Sequence, residues 1–286
     1  MTHAAFVFGT VGSPYSTPPK PGGSIGAIQH LAQLELYALE LGWVRSVRIG
    51  EEACAAIKAA ATEAGVMISI HAPYYINLNA DEVEWPRSRQ RLMDAAHFGN
   101  LAGATDIIFH PGSYFERPPQ EVLRVALPRL KGCVDELRAA GNPVTLRPET
   151  MGKRAMLGSI DDVIVMAREI DGVEPCLDFS HLHARAGDGS VNSYDEWRTL
   201  LTKYAKALGK DSLNRLHCHL SGIEYGEKGE KNHLRLVDSD LDLNSLINAL
   251  VDLQAGGRIL CESPERMEDD AGIIKQTWEG TLGQRG

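Results

Sequence analysis

Seven residues able to hold a divalent cation stand at the ends of six short apolar runs. His71 lies in "SIHAPYYINL", His110 in "IIFHPGS" and Glu149 in "TLRPETMG". Asp178 and His181 share "CLDFSHLHA", His219 stands in "LHCHLSG" and Glu262 in "ILCESPE". Taken singly, a histidine at a strand end is most often a packed or capping residue. As a set they are different, because gathering so many ionisable groups in one place without cations is costly. Imidazole and carboxylate without thiolate suit Zn²⁺, with Mn²⁺ or Fe²⁺ as alternatives. A single catalytic ion needs only about three protein ligands. The surplus therefore implies two or three ions, with carboxylates in the middle of the set bridging them. Ions about 3.5–4 Å apart suit in-line hydrolysis of a phosphodiester.

Such residues can meet only if the elements carrying them end at one place. Eight apolar or β-branched runs are spaced along the chain, at 4–9, 44–49, 66–72, 106–112, 144–149, 174–181, 215–221 and 258–264. Between them, 24–41, 51–64, 87–103, 119–140, 160–170, 193–208 and 242–255 carry helix-period apolar residues, and 268–281 can supply a last helix. Ser24 is placed as an N-cap, Ser159 with Asp162 as a capping box, and Pro128 as an interruption of the fourth helix. The alternation predicts an α/β chain folded as a (β/α)8 TIM barrel, one domain over 1–286, whose strand ends converge on one mouth. A doubly wound sheet is disfavoured, because the first run is followed by "GTVGSPYSTPPKPGGS" rather than by G-x-G-x-x-G.

Charge bounds the partners. The chain has 29 Lys plus Arg against 38 Asp plus Glu, a net charge of −9, which argues against indiscriminate nucleic-acid binding. Metal-bound carboxylates would shift that balance, since each ion returns positive charge locally. Basic clusters also exist at Arg87, Arg89 and Arg91, at Lys153 and Arg154, and at Lys228 and Lys231. The five cysteines lack C-x-x-C spacing and suit buried thiols in a reducing compartment. With no leader-like or membrane-length apolar run, a cytoplasmic location is expected.

The ordered series "HAPYYINL", "FHPGS", "LRPETMGK", "LDFSHLHA", "HLSG" and "LCESP" resembles the endonuclease IV family of apurinic/apyrimidinic endonucleases, among the xylose isomerase-like barrels. The likeness runs from the third strand to the eighth and is weaker over the first fifty residues. It implies a trinuclear zinc centre that cleaves double-stranded DNA 5′ to abasic sites in base excision repair, in a protein acting as a monomer. His71 and His110 then resemble ligands of a first metal, and Glu149 the bridge to a second held by Asp178, His219 and Glu262. His181 and His233 match the third-metal histidines, with Glu149 and Glu262 as the catalytic carboxylates. Tyr74 matches a tyrosine placed against DNA at the lesion, a role suited to an aromatic face.

One departure concerns the third metal. Where the family has Asp-Arg-His, this chain reads Lys231–Asn232–His233. Glu230 or Glu227 could substitute, His183 could join instead, or the third site could be weak or empty. Residues two apart in a strand share a face, so His217 and His219 should both point inward. His219, nearer the mouth, is the expected ligand, and His217 a supporting residue one layer deeper. Arg147 is expected to orient a ligand carboxylate, while His3, His30 and His97 are left as structural or surface residues. Two rival readings remain: a sugar isomerase or epimerase using one ion on Glu149, Asp178, His219 and Glu262, and a barrel that binds without catalysis.

Overall fold

A computed structural model describes residues 5–284; His3 lies outside the described residues. The strands are β1 (Phe6–Val11), β2 (Ala38–Gly42), β3 (Met67–His71), β4 (Asp106–Phe109), β5 (Thr145–Pro148), β6 (Cys176–Asp178), β7 (Leu216–Leu220), β8 (Gly222–Gly226), β9 (Gly229–Leu234) and β10 (Gly257–Cys261). The helices are α1 (Gly23–Gln33), α2 (Glu51–Ala64), α3 (Trp85–Leu101), α4 (Pro119–Ala139), α5 (Ile160–Glu169), α6 (Phe179–Arg185), α7 (Tyr194–Leu208), α8 (Leu243–Asp252) and α9 (Met267–Gly283).

Eight strands form one parallel sheet in the order β5-β4-β3-β2-β1-β10-β7-β6. Parallel bridges Leu146–Val173 and Glu149–Cys176 join its two edges, closing a TIM barrel. Both faces of such strands are covered, so they read as apolar runs, and β4, Asp-Ile-Ile-Phe, is buried throughout. The helices pack outside. Ser159 and Asp162 form the expected capping box at α5. All five cysteines are free and buried.

Several features differ from the sequence expectation. The second strand is Ala38–Gly42, not 44–49, and the first helix stops at Gln33 rather than 41. Glu35 takes a left-handed φ of 55°, which turns the chain out of α1 and into β2. The run "LYALELG" carries apolar residues compatible with either period, so helix and strand merged in the reading. Ser24 is not the cap of α1; Gly22 occupies that position without a side-chain bond. α4 continues through Pro128.

The sixth strand is only three residues long, so His181 is not at a strand end but in the first turn of α6. Asp178 explains the change: its carboxylate accepts the His181 backbone N–H at 2.7 Å and caps the helix. The Gly-rich stretch after β7 is also ordered, as the antiparallel hairpin β8–β9.

Candidate metal centre

Glu149, just past β5 and fully buried, is the hub of the barrel mouth. Its Oε2 lies 3.3 Å from His71 Nε2 and 3.3 Å from His110 Nε2. Its Oε1 faces the other way, 3.4 Å from His219 Nδ1 and 3.3 Å from His181 Nδ1. Neither oxygen has a hydrogen-bond partner in the protein. Ligand atoms about 2.0–2.1 Å from a tetrahedral ion stand roughly 3.3–3.4 Å apart, which is the spacing found around Oε2. His71, His110 and Glu149 thus form one group able to hold an ion, and Glu149, Asp178, His219 and Glu262 a second. His71 is oriented from behind, its Nδ1 lying 3.0 Å from the Ala72 carbonyl.

The carboxylates and imidazoles of the cluster interact strongly: His71, His181 and His219 are raised by the neighbouring carboxylates against the effect of burial. Burial alone would raise Glu149, but the imidazoles of His110, His181, His219 and His71 outweigh it and hold the carboxyl well below the usual range. Asp178 goes the other way, to about 6: burial dominates, and the neighbouring Glu262 and Glu149 offset what His181 contributes. Glu262 is held at about 2, burial being overcome by the His219 ring 3.0 Å away. Asp178 Oδ2 and His219 Nδ1 are also buried without a hydrogen bond. Orphaned acceptors converging on one space are what divalent cations satisfy. The donor set therefore fits the metals expected from the sequence.

The floor beneath contains a residue that the sequence reading missed. Glu40, at the centre of β2, is fully buried. Its Oε2 accepts the Ser69 hydroxyl at 2.9 Å and meets His217 Nε2 at 3.0 Å, while its Oε1 lies 3.1 Å from His219 Nε2. His219 so has Glu40 behind one ring nitrogen and Glu149 with Glu262 before the other. A carboxylate behind an imidazole in this way can orient a ring that binds a metal through its other nitrogen, although neither Glu40 Oε1 nor His219 Nε2 makes a hydrogen bond of regular geometry here. The available signal was one charged residue in the apolar run "LYALELG", hidden once 24–41 was read as a single helix. Cys176 lies near His217 and His219, but burial pushes its thiol well above the ordinary value.

Both β7 histidines point inward, His219 toward Glu149 and Glu262 and His217 toward Glu40. His219→Ala should remove an ion from the second group. His217→Ala should instead lower stability by about 1–3 kcal/mol by leaving Glu40 short of a partner, and weaken metal binding about 10- to 100-fold without abolishing it. Metal titration and denaturant melts of the two variants check this; equal metal loss in both would contradict the division.

At the rim, Tyr74 is 52 % exposed. Its ring stacks on His110 at 5.0 Å and meets His71 edge-on at 5.2 Å. Burial, with Glu262 and Glu149 nearby, pushes its phenol up to about 12, so the hydroxyl stays protonated. Tyr75 and Phe115 are also exposed. Gly112 of "HPGS" has φ 124°, and a Cβ there would sit 2.0 Å from Asn77 Oδ1, so a side chain would separate the two loops beside the mouth.

Arg147 does not orient a ligand carboxylate. It lies two residues deeper, bound to Asp106, to Glu174 at 2.9 Å and to the Pro175 carbonyl at 2.9 Å. Two residues of strand is about 6.6 Å, too far to reach the Glu149 carboxylate from below while serving these partners. His183 does not join the third group either; its Nε2 meets Asp240 at 3.1 Å and its Nδ1 the Ser190 carbonyl at 3.1 Å. His30 meets Ser16 on the surface, and His97 is an exposed residue of α3. Arg87 and Arg91 pair with Glu84 and Arg89 with Glu136, as expected of solvated helix positions.

The fold and this cluster define a class: a TIM barrel with a buried histidine–carboxylate centre at the C-terminal ends of its strands. More particularly, the chain belongs to the xylose isomerase-like TIM barrel family, whose model matches residues 28–279. An uncharacterised protein of Methanocaldococcus jannaschii is 36% identical over 273 residues, covering 95% of this chain and 96% of that one. Endonuclease 4 of Thermus thermophilus is 25% identical over 261 residues, covering 87% and 90%. Among solved structures, endonuclease IV from Thermus thermophilus superposes with a TM-score of 0.72 at 22% identity, covering 97% of this chain and 99% of that one. A D-tagatose 3-epimerase-like protein gives 0.73 at 15% identity, covering 98% and 100%. At such identities the superpositions establish the fold alone. Among the described residues no helix is long and apolar enough to cross a membrane.

Proposed function

We propose that this chain is a metal-dependent phosphodiester hydrolase of the endonuclease IV type, cutting duplex DNA 5′ to abasic sites in the cytoplasm. The observation that carries the reading is Glu149, whose two unbonded oxygens face two separate groups of candidate ligands. A carboxylate so placed would be able to serve two ions at once, which a one-ion isomerase does not require. His71, His110 and Glu149 would hold the first ion, and Glu149, Asp178, His219 and Glu262 the second. Zn²⁺ is favoured, with Mn²⁺ or Fe²⁺ as alternatives. Bound there, divalent ions supply a hydroxide near neutral pH and neutralise charge on phosphate oxygens.

The protein's own groups do the rest. Glu262, ionised and 14% exposed at the mouth, faces His219 with one oxygen and His233 with the other. Glu40 and His217 keep His219 aimed upward, and Tyr74 offers an open aromatic face for stacking where a base is missing. Incision of an abasic duplex, lost on chelation and restored by Zn²⁺ or Mn²⁺, tests the reading; an intact duplex under every divalent ion would overturn it. Tyr74→Ala should raise KM for that duplex roughly tenfold or more, since one stacked base is worth about 1–3 kcal/mol. Tyr74→Phe, which keeps the face, should resemble wild type.

A second reading has its own support. Glu149, Asp178, His219 and Glu262 make a complete one-ion set, and sugar epimerases share the fold. That reading predicts one ion per chain and turnover of a keto-sugar.

A further inference from the structure

We propose that Glu230 completes a third cation site with His181 and His233, brought there by a β-bulge that turns Lys231 away. The inference deepens the polynuclear reading above and rests on it.

Residue spacing alone gives the wrong residue. In a regular strand His233 and Lys231 would share a face, and Glu230 would point to the other. The β8–β9 ladder is not regular: Glu224 pairs with Asn232, but the next residue, Tyr225, pairs with Glu230. Lys231 is the extra residue, and beyond it the alternation is reversed. Exposure follows the bulge. Lys231 and Asn232 are both exposed, while Glu230 and His233 are both partly buried. Lys231 Nζ lies 3.1 Å from Glu224 Oε1, and the Asn232 side-chain amide lies 3.3 Å from Glu224 Oε2, so two consecutive side chains share one outer partner. Glu230 Oε2 instead lies 3.5 Å from His181 Nε2.

The two imidazoles are prepared for a cation. His181 Nδ1 lies 2.9 Å from the Thr150 carbonyl, which can only accept, so Nδ1 carries a hydrogen and, in the neutral ring, Nε2 carries the lone pair. His233 Nδ1 lies 2.7 Å from Ser221 Oγ, whose own hydrogen goes to the Gly222 carbonyl at 2.8 Å. With Nδ1 donating to Ser221, the neutral His233 ring has its lone pair on Nε2, which stands 3.3 Å from His181 Nε2. Two such nitrogens at that distance need either a shared proton or a cation between them. The His181–His233 and His181–Glu230 separations of 3.3 and 3.5 Å are each those of two ligands about 2.0–2.1 Å from one zinc ion, and Asp178 groups with the same two histidines. Gly152 leaves the space: a Cβ there would fall 2.6 Å from Glu230 Cβ and 3.1 Å from His181 Cδ2. Its carbonyl also accepts the Glu230 N–H at 3.0 Å, fastening the bulged strand to the loop after β5. Glu227, at the exposed hairpin turn, takes no part.

The test is zinc content per chain by elemental analysis, after loading with Zn²⁺ and gel filtration to remove excess. Wild type should hold about three ions, and Glu230→Gln, like His233→Ala, about two. Lys231→Ala should hold as many as wild type. The double variant Glu230→Gln/Lys231→Asp should stay at the lower count, because position 231 faces outward. Full zinc in Glu230→Gln or in His233→Ala would overturn the proposal, as would recovery of the ion by Lys231→Asp. Circular dichroism of each variant confirms that the barrel has formed. Zinc counts are independent of turnover. A Glu230-dependent ion in a protein that leaves abasic DNA intact would remove the DNA reading and keep the site. Incision with unchanged zinc in Glu230→Gln would do the reverse.

Discussion

Glu149→Gln should lower phosphodiester hydrolysis by on the order of a thousandfold, about 4 kcal/mol of barrier, and release at least one bound ion. The carboxamide keeps the shape of the side chain but offers one acceptor where the carboxylate offers two. It can serve the His71 and His110 side or the His219 side, not both. The substitution also replaces an anion by a neutral group among four imidazoles, so the remaining ion should bind more weakly. Steady-state incision kinetics and elemental analysis on the same preparation check the two effects together. Full activity in this variant would rule out a shared carboxylate. A fall in activity with unchanged metal content would place Glu149 in proton transfer instead of bridging.

The largest stability effect is expected at Asp106→Asn, about 3–5 kcal/mol, because it leaves buried cations short of their counter-charge. Asp106, at the deep end of β4, is bound by Arg147 and lies 2.8 Å from the Arg258 guanidinium. All three side chains are buried. Burial works against the Asp106 charge, but Arg147 above all, with His217 and Arg258, holds its carboxyl well below the ordinary value. A carboxyl depressed in the native state adds stability above its unfolded pKa of about 3.9 and loses it as pH falls toward the native value. The advantage of wild type over Asp106→Asn should therefore be complete at neutral pH and shrink below about pH 4. Denaturant melts across that range read it directly; a gap of under 1 kcal/mol at pH 7 would contradict the argument. Metal content should change less than stability, since Asp106 reaches the site only through His217, whose Nδ1 lies 3.9 Å from its Oδ2.

How much of this was legible in the sequence depended on which local rule each residue obeyed. His71, His110, Glu149, His219 and Glu262 could be found because a parallel barrel ends all its strands at one mouth, and a polar residue after an apolar run marks that end. Asp178 and His181 were found together, though His181 arrives by the first turn of a helix that Asp178 itself caps. Glu40 was lost because "LYALELG" satisfies a helical period as well as a buried strand, and only the φ of Glu35 separates them. Arg147 was misplaced because sharing a face with Glu149 says nothing of depth, and two strand residues separate the metal layer from the arginine layer. The placing of Glu230 rather than Lys231 beside His181 could not be read from the sequence, because a β-bulge leaves no reliable mark in composition. The spacing of Lys231 and His233 points to the wrong side chain until the pairing with β8 is known.

The central claim is that Glu149 joins two cation sites. The most direct measurement is anomalous diffraction at the zinc edge from crystals of the loaded protein. Separate peaks on the His71–His110 side and on the Asp178–His219–Glu262 side of the Glu149 carboxylate are the predicted result. A single peak within Glu149, Asp178, His219 and Glu262, with none beside His71 and His110, would contradict the account and favour the one-ion isomerase.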